Sequence, residues 1–139
     1  AIHIANDYIY GAGITNKAGI RIEALSSNSA VLTCLANDLG YENIYSEQLK
    51  VKGNEGDLLI ILSGSGNSKN VIKAFEFANE IDSTTISFTG GSGGKLAKIS
   101  KHNLNIDDND MLTIETGHLL ICHLLTTLIR SNGKPMFEY

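Results

Sequence analysis

The hydrophobic and polar positions of this chain fall into blocks with two periods. Apolar residues recur at helical spacing over 2–10 (IHIANDYIY), and Gly11-Ala12-Gly13 ends that run. A helix is expected over about 29–38, with Ser26, Ser27, Asn28 and Ser29 as N-cap candidates and Gly40 closing it. A second short helix falls within Tyr41–Gly53, with Ile44, Tyr45, Gln48 and Leu49 sharing a face. Val71, Ile72, Phe75 and Ala78 mark a helix over about 68–80, and Phe75, Phe77 and Phe88 read as core or near-core residues. The stretch GGSGGKLAKIS, 90–100, turns into a short helix, and 111–130 make the longest one. Strand-like patterns occupy 20–25 (IRIEAL), 57–62 (DLLIIL), 83–90 (STTISFTG) and 102–106 (HNLNI), the last as an edge. The uniformly apolar 57–62 run fits a strand covered on both faces. Residues 14–19 read as a loop.

Strands alternating with helices imply an α/β fold: three layers, with a central parallel sheet flanked by helices. Ligands in such sheets bind beyond the carboxyl ends of the strands. Two of those turns are rich in glycine and serine, 63–68 and 89–94. There is no internal repeat and no low-complexity tract. The 139 residues suit a single domain, expected over 1–131, with 132–139 as a C-terminal tail.

Composition narrows the function. The net charge is −4, and no cluster of lysine or arginine supplies the basic face that nucleic acid requires. No apolar run reaches the roughly 20 residues that span a bilayer, so no membrane role is expected. Cys34 and Cys122 sit in apolar helical stretches without a CxxC spacing, and read as buried free thiols of a reducing cytoplasm.

The turn SGSGNS, Ser63 to Ser68, brings three hydroxyls, two permissive glycines and the free N–H groups of a following helix to one place. That is an anion site, with phosphate as its natural occupant. The plain alternative is a strand–helix turn with Ser68 as N-cap. Neither a Walker A sequence nor a dinucleotide fingerprint is present, since Lys69 stands where the third glycine would be.

Four titratable residues lie on two predicted helices. His3 and Asp7, four apart, share a face, which suits two ligands of one metal as well as a surface hydrogen bond. On the long helix, Glu115 and His123 differ by roughly 80° and about 12 Å of rise, so their side chains just converge on one ion. His118 and His123 differ by roughly 140° and do not serve the same ion. His102, Tyr8, Tyr10 and Lys95 read as ordinary surface or packing residues.

The stretches GDLLIILSGSGNSKNVIKAFEFA and TTISFTGGSGGKLAKIS resemble the sugar isomerase (SIS) domain. HIANDYIYG at 3–11, LANDLGY at 35–41 and IETGHLLICHLL at 114–125 extend the likeness towards its phosphoheptose isomerase branch. The resemblance implies a cytoplasmic aldose–ketose isomerase, interconverting sedoheptulose 7-phosphate and D-glycero-D-manno-heptose 7-phosphate for bacterial surface polysaccharides. A non-catalytic SIS module binding a phosphosugar, or an isomerase of another sugar phosphate, is the alternative. By the same resemblance, Ser63, Gly64, Ser65, Asn67 and Ser68 hold the phosphate, and Asp38 and Glu115 contact substrate. His3, Asp7, Glu115 and His123 match the ligands of one Zn2+ per site, with Asp7 as base and His123 as acid. The assembly implied is a homotetramer with sites near subunit interfaces. The family usually has glutamate at Asp7, glutamine at Glu115, arginine at Gly11 and aspartate at Leu112, with Asp110 nearby. Its N-terminal helix, first strand and GNGGSA loop would lie before Ala1.

Overall fold

The computed structural model describes residues 1–13 and 19–130. The loop expected over 14–19 lies, Gly19 apart, outside the described residues, as does the expected tail. Contacts divide the chain into two compact units, Asn28–Glu115, and Ala1–Ser27 with Thr116–Tyr139.

The first of these holds the sheet. Strands β1 (Leu58–Ser63), β2 (Thr84–Gly90) and β3 (His102–Ile106) lie in that order, both pairs parallel. Helices α2 (Ser29–Leu39) and α3 (Ser46–Lys52) precede β1, while α4 (Lys69–Glu80) connects β1 to β2 and α5 (Gly94–Ile99) connects β2 to β3. The start of α2 follows its signal, as the Asn28 side chain accepts from the Val31 N–H at 3.1 Å. The spacing of α4 buries Ile72, Ala74, Phe75 and Ala78, and Ile61, Ile72, Phe75 and Leu96 form one core cluster. The register sets Ser63 beside Thr89 and Gly90 beside Ile106. The turns after β1 and β2 therefore leave the sheet side by side.

In the other unit, α1 (Ile2–Asn6) runs into a π-helical turn, Asp7–Gly11, closed by the Ala12 N–H on the Asp7 carbonyl at 2.8 Å. The helix ends at Gly11, within a residue of expectation, but its last turn is wider. The Ile20 N–H takes up the Tyr8 carbonyl at 2.9 Å. That approach needs glycine at 19, where a Cβ would stand 2.5 Å from the Tyr8 oxygen. Helix α6 (Met111–Ile129) begins in the sheet unit and ends in this one.

Four expectations are corrected. Residues 20–25 are not a strand: the segment is irregular and then turns. Alternation records which way side chains point, whereas a strand also needs a ladder partner. Cys34 is exposed, because α2 buries none of its residues within this chain. Only Ile61 and Ser63 of β1 are buried, so the apolar run is incompletely covered. Finally, α6 has 19 residues at a mean hydropathy of 1.4, long and apolar enough to cross a membrane by length and composition.

Candidate active site

The turn between β1 and α4 is held mainly by its own backbone and by the turn after β2. The Gly66 N–H reaches Ser63 Oγ at 3.2 Å, and the Asn67 N–H reaches Ser65 Oγ at 3.2 Å. In both cases serine accepts and keeps its hydroxyl proton for another acceptor. Ser68 occupies the N-cap position of α4 without capping it through its side chain, so its hydroxyl is also uncommitted to the role the plain alternative gave it. The Gly64 carbonyl accepts from Gly90 N–H at 2.8 Å and the Gly66 carbonyl from Leu96 N–H at 3.0 Å. Gly66 is left-handed, with φ +63. Hydroxyls, a glycine backbone and the positive end of a twelve-residue helix meet here, as binding an anion requires.

Asn67 plays another part in this turn. Its Nδ2 donates to the Ser65 carbonyl at 3.0 Å, and its Oδ1 accepts from the Lys95 N–H at 2.9 Å. It clamps the two turns together. Beside them runs a polar ladder, buried at Ser87 and Thr89 on β2 and more open at Asn103 and Asn105 on β3, that the sequence reading passed over. Thr89 Oγ1 donates to Asn105 Oδ1 at 2.8 Å, and Asn105 Nδ2 to the Gly91 carbonyl at 2.7 Å. Asn103 Nδ2 donates to Ser87 Oγ at 2.8 Å. The signal was period-2: Ser87 and Thr89 alternate on β2 as Asn103 and Asn105 do on β3.

The second cluster lies in the unit made by the chain's two ends. His3 Nε2 stands 2.9 Å from His123 Nε2, 3.4 Å from Asp7 Oδ2, and His123 Nε2 stands 3.3 Å from the same oxygen. Among the described residues this is the group of three whose donor atoms lie within 4.8 Å of one another. Tetrahedral bonds of about 2.0–2.1 Å place neighbouring ligand atoms about 3.3 Å apart. The triangle is therefore close to one face of a zinc site. Two imidazoles and a carboxylate are also a donor set suited to zinc. The residues fit the ion.

A SIS domain family profile matches residues 1–90. The chain belongs to the SIS domain family. It is 34% identical over 129 residues to a phosphoheptose isomerase of Aneurinibacillus thermoaerophilus, covering 93% of this chain and 65% of that protein. Over 113 residues it is 39% identical to one of Helicobacter pylori, covering 81% of this chain and 59% of that protein. The chain thus spans somewhat less than two thirds of these relatives' length. Among solved structures, a phosphoheptose isomerase from Francisella tularensis superposes with a TM-score of 0.87 at 29% identity, covering 93% of this chain and 69% of that one. One from Neisseria gonorrhoeae gives 0.82 at 34%, covering 93% and 68%.

In this SIS domain the remaining candidates sort by surroundings. Asp38 is exposed at the end of α2, accepting from Asn37 Nδ2 at 2.7 Å. Glu115 is exposed near the start of α6, in the sheet unit. His118 is buried, whereas the His123 side chain is 48% exposed. Asp110 caps α6. Its carboxylate accepts from the Thr113 hydroxyl at 2.9 Å and N–H at 3.1 Å, bonds that hold it below the usual aspartate range. Tyr10 is exposed and Tyr8 buried. Burial pushes the Tyr8 hydroxyl and the Cys122 thiol up. His102 lies exposed at the start of β3, and Lys95 Nζ pairs with Glu76 at 2.8 Å.

Proposed function

We propose that this SIS domain belongs to an enzyme that interconverts sedoheptulose 7-phosphate and D-glycero-D-manno-heptose 7-phosphate in the cytoplasm, supplying heptose for bacterial surface polysaccharides. The convergence of His3, Asp7 and His123 carries this reading, because a module that only binds phosphosugar has no use for it. Similarity to phosphoheptose isomerases supports the choice of sugar. The phosphate would be anchored by Ser63, Ser65 and Ser68 with the Gly64 backbone, Asn67 acting through the loop it clamps. Asp38 and Glu115 would meet the sugar's hydroxyls.

His3, Asp7 and His123, with Glu115 as the fourth ligand the family pattern offers, would hold one Zn2+. Bound there, the ion supplies Lewis-acid polarisation of the substrate's oxygens. The Asp7 carboxylate takes the proton from the carbon next to the carbonyl. His123 delivers a proton to the carbonyl oxygen, giving the enediol. Returning the first proton to the former carbonyl carbon, while His123 removes one from the neighbouring hydroxyl, completes the ketose–aldose exchange. Asp7 is one methylene shorter than the usual glutamate, and the wide π-turn it begins is the local adjustment available to it.

Incubating the natural protein with sedoheptulose 7-phosphate and zinc, with product followed by NMR, is expected to give the aldose, and a chelator to stop it. Binding seen by line broadening without conversion would replace this reading with the phosphosugar-binding module.

The enzyme is further proposed to be a homotetramer. Leu112, Leu120, Leu124 and Leu128 are 73%, 58%, 54% and 66% exposed along α6. Leu120, Leu124 and Leu128, at four-residue steps, fall within roughly 80° of one another on the helix and form one apolar stripe, which further copies of the chain would cover. Sedimentation equilibrium is expected to give four chains per particle; a monomer at micromolar concentration would sink this.

A further inference from the structure

The two glycine turns are bonded to each other, and the second is also bonded to β3 through a side chain. Gly91 enters that turn at φ +54. Its N–H reaches the Ile106 and Asp108 carbonyls, each at 3.0 Å, and its carbonyl accepts from Asn105 Nδ2 at 2.7 Å. A carbonyl only accepts, so the nitrogen of the Asn105 amide faces Gly91 and the oxygen faces Thr89. That oxygen only accepts as well, so the Thr89 hydroxyl gives its proton to Asn105 Oδ1 at 2.8 Å (Asn103 Oδ1 lies further off, at 3.3 Å). Thr89 Oγ1 then accepts from Asn103 Nδ2 at 2.9 Å, and the same nitrogen donates to Ser87 Oγ at 2.8 Å. One backbone carbonyl thus sets the direction of the ladder, and the ladder ends on the second turn.

From there the hold passes to the anion turn. A Cβ at Gly93 would stand 3.3 Å from Asn105 Oδ1 and 3.4 Å from Thr89 Oγ1, so Gly93 lies close against both side chains. The Gly93 carbonyl lies in turn against Gly66. The Gly90 and Leu96 N–H groups bind the Gly64 and Gly66 carbonyls at 2.8 and 3.0 Å. Thr89 is wholly buried, whereas Asn105 is exposed. Asn105 therefore buries little for the fold, and its two bonds act on the turn.

We propose that Asn105 is a positioning residue for phosphosugar binding: with Thr89 it fixes the 90–94 turn, and that turn sets Ser63 and Ser65 for the phosphate. This inference rests on the phosphate reading of the 63–68 turn, and the test separates the two.

The test compares the natural protein with Asn105→Leu, Thr89→Val, Thr89→Ser, the Asn105→Leu/Thr89→Val pair and Ser87→Ala. Sedoheptulose 7-phosphate binding is read by calorimetry, stability by urea unfolding, and KM and kcat by NMR turnover. Asn105→Leu and Thr89→Val keep the side chain's size and remove its hydrogen bonds. Each is expected to raise the dissociation constant and KM about tenfold, the effect of one hydrogen bond, with kcat held. The pair should lose little more than Asn105→Leu alone, because both changes break one chain of bonds. Thr89→Ser, which keeps the hydroxyl, should bind as the natural protein does. Ser87→Ala breaks the far end of the ladder, so it should lose stability and bind sugar normally. Unchanged affinity in Asn105→Leu and Thr89→Val overturns the proposal, as does a loss in Ser87→Ala matching theirs. Should Asn105→Leu fail to fold, the contrast between Thr89→Val and Thr89→Ser decides alone. Should the natural protein bind no sugar phosphate, the phosphate reading falls separately. The positioning is then judged by hydrogen exchange at the Gly90 and Leu96 N–H groups, which join the turns. Faster exchange in Asn105→Leu and Thr89→Val but not in Ser87→Ala supports it, and unchanged exchange overturns it.

Discussion

His123→Ala is expected to lower turnover of sedoheptulose 7-phosphate by about a thousandfold or more. Two losses combine in that figure. Removing a positioned acid typically costs about 10²–10⁴ in rate. The imidazole is also a vertex of the triangle whose other edges run 2.9 Å to His3 and 3.3 Å to Asp7, so zinc retention falls with it. Folding should change little, because the side chain is 48% exposed. Phosphate anchoring should also persist, since the 63–68 turn is held by its own backbone and by the 90–96 segment. Turnover by NMR, zinc content by chelator competition and sugar binding by calorimetry would be read on the same preparation. Turnover within tenfold of the natural protein would remove His123 from the chemistry. A loss of sugar binding equal to the loss of turnover would instead make it a binding residue.

The parts legible in the sequence were those set by local period. Helical spacing buried Ile72, Phe75 and Ala78 as expected. Angular arithmetic on one helix separated buried His118 from exposed His123. What stayed hidden depended on a partner remote in sequence. The alternation of 20–25 says nothing about whether a strand lies beside it. The apolar face of α2 carries Cys34 outward, because composition records that a surface seeks cover without naming what covers it. Asn67 reads as a phosphate ligand from its place in the loop, and the bond it accepts from the Lys95 N–H, 28 residues away, adds a clamp that no local pattern shows. The π-turn at Asp7 left no signal in residue type. The Ala12 N–H on the Asp7 carbonyl closes it.

The second large effect concerns the anion site and is tested without reference to a metal. Gly66→Ala is expected to cost about 3 kcal/mol of stability and to abolish phosphosugar binding at millimolar sugar. At φ +63 an alanine bears roughly 1–2 kcal/mol of left-handed strain. Its Cβ would also overlap the Gly93 carbonyl oxygen and lie 2.8 Å from the Gly93 carbonyl carbon and 3.3 Å from Gly94 Cα. These are backbone atoms, so no side chain can swing aside. The turns must part, and the Leu96 N–H to Gly66 carbonyl bond goes with them, worth about 1 kcal/mol. Parting the turns also moves Ser63 and Ser65, whose hydroxyls the phosphate would need. Gly56→Ala isolates the strain, since φ there is +80 and nothing lies within 4 Å of the new Cβ. That variant should lose about 1–2 kcal/mol and bind sugar normally. Urea unfolding and calorimetry on the pair separate backbone strain from the contact between the turns. If Gly66→Ala behaves like Gly56→Ala, the turns are not locked together, and the proposed phosphate anchor loses its physical basis.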